Sequence, residues 1–85
     1  MRVTVIPSDR WIRRDDDSVN LPDWPFDDSN VHAIQWYDLE GEIEYNGRPK
    51  PPNVPFSDPS VIQPYLAALD QHIASQESVT GDGFL

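Results

Sequence analysis

Few residues in this chain could do chemistry, and most of those are acidic. Glu42 and Glu44 alternate in sequence, so in a strand they share a face with their Cα atoms roughly 6 to 7 Å apart. That spacing is compatible with the paired acid and base of glycoside hydrolysis. In so short a chain, such a pair more commonly keeps a strand face wet and an edge unattractive to strangers. Asp15-Asp16-Asp17 offers hard oxygens of the kind that hold divalent cations. Three adjacent residues cannot all converge on one ion, and the alternating calcium loop with glycine at its sixth position is absent. The run is therefore expected to be a solvated turn. The two histidines, His32 and His72, lie 40 residues apart with no ligand pattern around either. His32 alternates with Ile34 and Trp36, so it reads as a packed or hydrogen-bonded sheet residue rather than a base. Without cysteine there is no thiolate nucleophile, disulfide frame or Cys-based zinc site. The expectation is no catalytic residue, no cofactor and no metal.

The elements that would position these groups are legible in the alternation of residue types. Val31-His-Ala-Ile-Gln-Trp-Tyr37 and Glu42-Ile-Glu-Tyr45 form the two arms of a β-hairpin. One arm sets His32, Ile34 and Trp36 against Val31, Ala33, Gln35 and Tyr37, and the other sets Ile43 and Tyr45 against Glu42 and Glu44. Between them Asp38-Leu-Glu-Gly41 reads as a four-residue loop in which Gly41 tolerates positive φ. Upstream, Val3-Thr-Val-Ile6 is a β-branched strand stopped by Pro7-Ser8-Asp9. A second hairpin follows, with Trp11 and Arg13 opposite Ile12 and Arg14, the aspartate run at its tip, and Val19 and Leu21 on one face of the return arm.

Nine prolines, about twice average usage, leave little room for long regular elements in residues 21–26 and 48–60. Residues 48–55 read as an extended, polyproline-like strap after the Asn46-Gly47 turn. Ser60-Val-Ile-Gln63 matches a capping box. The helix after it carries Ile62, Tyr65, Leu66, Leu69 and Ile73 on one stripe and ends near Ser75. Leu66, Leu69 and Ile73 are expected to cover Ile34 and Trp36, the other long apolar surface. The chain thus reads as one small α+β domain, residues 1–75: a mostly antiparallel sheet crossed by a Pro-rich strap and backed by one C-terminal helix. Residues 76–85 read as a flexible polar tail.

Leu, Ile, Val and Phe make up 21 of 85 residues, above the level associated with disorder, so a folded but thin core is expected. The net charge of −9 argues against nucleic acid and anionic membrane surfaces as partners. The apolar run after Met1 is too short for a signal-peptide core or a membrane span. Trp11, Trp24, Trp36, Tyr37, Tyr45 and Tyr65 are many large rings for such a core, and Trp and Tyr favour interfaces. Trp24 and Phe26, in a Pro-rich loop, and Pro51, Pro52 and Phe56, in and after the strap, are the candidate partner-binding residues. Proline-rich segments lose less conformational entropy on docking, which favours that role.

The string His32-Ala-Ile-Gln-Trp36 followed by Gly41-Glu-Ile-Glu-Tyr45 resembles a family of short proteins of tailed bacteriophages and prophages, commonly encoded beside tail-fibre genes. The opening Val5-Ile-Pro-Ser-Asp9, the proline-containing segment after Tyr45 and a short C-terminal helix behind a Phe-Ser cap are similar as well. The chain departs from that pattern at Ala67-Ala68-Leu69, where relatives tend to carry a tryptophan, and in a longer, more acidic loop at residues 21–30. The resemblance implies a non-enzymatic, multi-copy structural component of a tail tip or fibre, made in the host cytoplasm, located in the virion tail and bound to other tail or fibre proteins. It brings no catalytic residues. The alternatives are a fibre-assembly chaperone outside the virion, or an acidic inhibitor of a host defence complex.

Overall fold

Alternating β-branched and polar residues do form strands throughout the first half of the chain. A computed structural model describes residues 1–82, with side chains described as far as Gln76. Six strands make one antiparallel sheet: β1 (Arg2–Ile6), β2 (Trp11–Arg14), β3 (Asp17–Asn20), β4 (Val31–Tyr37), β5 (Glu40–Tyr45) and β6 (Val54–Phe56), in the order β3-β2-β1-β4-β5-β6. A single helix, α1 (Gln63–Asp82), completes a small α+β fold. The first three strands are a meander and β4 returns beside β1, which is a Greek-key arrangement.

Register assigns every strand residue to one of two faces. One row runs Val19, Ile12, Val5, Ile34, Ile43 and Val54, and the next runs Arg14, Val3, Trp36, Gly41 and Phe56. These rows carry the core with Leu21, Ile62, Tyr65 and Leu69. Burying an aliphatic side chain as completely as Leu69 or Ile62 contributes about 1.5–3 kcal/mol.

Both hairpin tips are tied to the start of β1 by the same device. Asp15 and Asp38 each adopt a positive φ, 51° and 56°, which aspartate tolerates better than most residues. Their amides donate to Arg2 O and Met1 O, and their carboxylates accept from Arg2 N and Met1 N. The aspartate run is thus a turn with a bonded residue in it. The β4–β5 loop is shorter than the sequence suggests: Tyr37 pairs with Glu40 around a two-residue turn, and Asp38 rather than Gly41 takes the positive φ.

Gly41 serves close approach instead. A Cβ there would overlap the Gln35 carbonyl oxygen and come within 2.7 Å of the Phe56 ring. Phe56 lies beside Trp36, ring centroids 5.4 Å apart and planes tilted by 33°. Trp36 is 4% exposed and its indole N–H is buried without a partner, a cost that burial of so large a ring offsets.

Two further expectations are corrected and a third is refined. A register shift between Val31 and Ala33, a β-bulge, turns His32 outward and lets Val31 pack against the core with Ile34 and Trp36. The strap does not cross the sheet; it doubles back and delivers β6 to the edge beside β5. Pro55 is tolerated there because its hydrogen-less nitrogen can face away from the ladder. The helix packs chiefly on β2 and β3, over Ile12 and Val19, while its Leu69 shares one buried cluster with Ile34 and Trp36, against which Leu66 and Ile73 also pack. Arg14 closes that end with a 2.8 Å ion pair to Asp70, and its hydrogen bond holds the Asp70 carboxyl below the usual carboxylate range.

The cap also differs. Asp58, ahead of Pro59, accepts from Ser60 N at 2.9 Å and opens a 3-10 turn (Pro59–Val61) before α1. Pro64 then falls in the first turn of the α-helix, where its missing N–H breaks no ladder bond. The helix continues past Ser75 to Asp82. The expected looseness of the tail concerns side chains after Gln76 and the apolar end at Phe84 and Leu85, which lie outside the described residues.

Gly41→Ala should destabilise the fold by about 1–3 kcal/mol, the range for overpacking a well-filled site. Equilibrium urea unfolding of the variant beside wild type measures it.

Candidate functional site

Two places gather polar and aromatic groups. The first is the crossing loop, residues 21–30, which must carry the chain from the β3 edge back to β4 past the end of the core. Its alternation of Trp24, Phe26 and Asp28 turns all three toward α1. Trp24 and Phe26 meet edge to face at 4.9 Å, and Phe26 lies 4.3 Å from the Tyr65 ring. Asp28 is 6% exposed, the one buried polar or charged residue among those described. Its carboxyl accepts from Trp24 Nε1 at 2.8 Å and from the Tyr65 hydroxyl at 2.6 Å. Burial, and then the hydrogen bond to Asp28 and its charge, push the Tyr65 hydroxyl pKa up. The loop is therefore fastened to the helix by the Tyr65–Asp28 hydrogen bond and by the packing of the Trp24 and Phe26 rings on Tyr65, while the Trp24–Asp28 bond braces the loop itself.

The second place is the face of the sheet away from α1. Arg2, Thr4, Trp11, Arg13, Gln35, Tyr37, Glu40, Glu42 and Glu44 belong to it by register. Thr4 Oγ1 and Gln35 Oε1 are 3.0 Å apart. Glu42 accepts from Asn53 at 3.3 Å and Glu44 pairs with Lys50 at 3.2 Å. The two carboxylates are thus engaged as anchors that lay the strap along β5. Between Arg2 and Pro55 the face sinks into an open cleft of about 570 Å³, lined by Gln35, Tyr37, Glu40 and Glu42. Tyr37 is 66% exposed there, and Leu39 at the hairpin tip is 83% exposed.

The candidate partner residues divide into two groups. Trp24 and Phe26 are half-buried on the chain's own helix and Phe56 is half-buried on Trp36, whereas Pro51 and Pro52 are exposed. His32 is exposed on its bulge, and His72 Nε2 lies 3.1 Å from the Gln76 amide nitrogen. Among the described residues no three His, Cys, Asp or Glu side chains are grouped to hold a metal ion, and no helix is long and apolar enough to cross a membrane. The sequence reading missed the roles of Asp28 and Tyr65. The spacing Trp24, Phe26, Asp28, with every second residue pointing one way, was the available signal.

No protein-family model matches the chain, and no curated protein or solved structure is significantly similar to it.

Asp28→Ala should orphan two buried donors, at about 1–3 kcal/mol each, and Asp28→Asn, which keeps one acceptor oxygen, should cost less. Urea unfolding of both variants separates the two outcomes. Because the folded state holds the Tyr65 proton more tightly than the unfolded chain does, this contribution is intact below pH about 10 and is lost as pH rises further. Tyr65→Phe should remove that alkaline decline, read as melting temperature against pH.

Proposed function

We propose that this chain is a non-enzymatic, protein-binding component of a bacteriophage tail tip or fibre. The observation that carries the reading is the hairpin string, His32 to Trp36 and Gly41 to Tyr45, which resembles proteins encoded beside tail-fibre genes. Its agreement with the fold supports the reading. Trp36 and Gly41 serve the core, while Gln35, Glu42 and Glu44 face the open side, so one string specifies both a scaffold and a wet surface. The carboxylates of Glu42 and Glu44, the pair closest to a catalytic spacing, hold the strap. An open polar face with a shallow cleft and an exposed tyrosine suits contact with another protein.

Mass spectrometry of purified virions produced from a genome encoding this chain is the test. The chain is expected in the particles at a stoichiometry matching the tail. Its absence from particles whose assembly nevertheless requires the gene would overturn the structural role and assign it to fibre assembly.

A further inference from the structure

The cleft on the open face brings together groups that no internal contact uses. Among the described residues the Arg2 guanidinium, the Tyr37 hydroxyl and the Glu40 carboxylate have no partner, although all three meet at one end of the sheet. Register sets them in line: Arg2 is opposite Tyr37 across β1 and β4, and Tyr37 is opposite Glu40 across β4 and β5. Glu42, one alternation further along β5, continues the acidic wall, and Pro55 closes it. The floor is therefore an exposed aromatic ring, with carboxylates on one side and a single guanidinium on the other.

We infer that this cleft is a docking site for an extended basic segment of a protein partner, with an arginine or lysine head group on the Tyr37 ring beside Glu40 and Glu42. Charge selects the occupant. The chain carries fifteen acids against six lysines and arginines. Of those six, Arg10, Arg13, Arg14 and Lys50 already spend side-chain donors on acceptors within the fold. The remaining field attracts cations and repels phosphates. An exposed ring beside carboxylates is the arrangement that holds a guanidinium or ammonium by cation–π attraction as well as by charge. Arg2 excludes a bare cation from the far wall but suits a peptide, to whose next backbone carbonyl its guanidinium can donate. The inference does not depend on the tail assignment, since the peptide test can fail while the virion test succeeds, and the reverse.

The probe is a capped peptide of alternating arginine and glycine, titrated into the isotopically labelled chain at low ionic strength and followed by amide chemical shifts. The expected shifts centre on Arg2, Gln35, Tyr37 and Glu40 and disappear with added salt. Tyr37→Ala should weaken binding about three- to fivefold, and Glu40→Lys should abolish it. The control is Asp23→Lys, the same charge change in the crossing loop, which should alter affinity less than twofold. Equal losses from Asp23→Lys and Glu40→Lys would mean a diffuse field and no site. Shifts centred elsewhere, no binding at all, or equal binding of a glutamate-glycine peptide would also overturn the proposal. Tyr37 is exposed, so its variant should melt with wild type, and an unchanged melting temperature separates lost contact from lost fold.

Discussion

The sheet is closed across its far half by a side chain that is missing. The helix lies chiefly over β2 and β3, so Trp36, toward the other half, takes a further cover from β6. Because Gly41 carries no Cβ, the Phe56 ring can lie across β5 and meet the indole. That contact seats β6, and seating β6 requires the strap to run back along β5, where Glu42 and Glu44 hold it. A three-residue strand with a proline at its centre would not persist on ladder hydrogen bonds alone. It persists because its last residue is an anchor.

The other half depends on a second closure of a different kind. There the core is capped by a loop, and loops carry backbone polar groups that need partners. Asp28 joins the Trp24 indole and the Tyr65 hydroxyl, so the loop's one buried carboxyl also ties the loop to the first turn of the helix. The two halves thus stabilise themselves by aromatic rings arriving from outside the main strands. In a chain of 85 residues this compensates for a core that one helix cannot cover.

How far the sequence was legible follows from which constraints are local. Alternation at Val3, Val5, Ile34 and Trp36 is a local property, and the first five strands and both hairpins could be read from it, whereas β6, with a proline at its centre, could not. The bulge at His32 is invisible to a period-two reading, since one extra residue shifts the parity of everything before it. The turn at Asp38 was misassigned because glycine is the usual residue at positive φ, whereas here aspartate takes it to bind the start of β1, a contact distant in sequence. The helix stripe was correct residue by residue, but which strands it covers depends on where the connection after β6 leads. The clefted face was half visible: the opposition of Gln35 and Tyr37 to Trp36 could be read, but the approach of Arg2 from β1 could not.

The two borders of the sheet have unequal consequences for how the molecule behaves when crowded. At β6, Pro55 interrupts the outer row of donors, so a stranger's strand laid there finds a gap at the middle of a three-residue stretch. At β3, Asp17 and Ser18 leave a short, wet and acidic margin. Two copies placed border to border therefore have no continuous template to zip along. In the folded molecule, edge-to-edge pairing between copies is thus disfavoured at both borders.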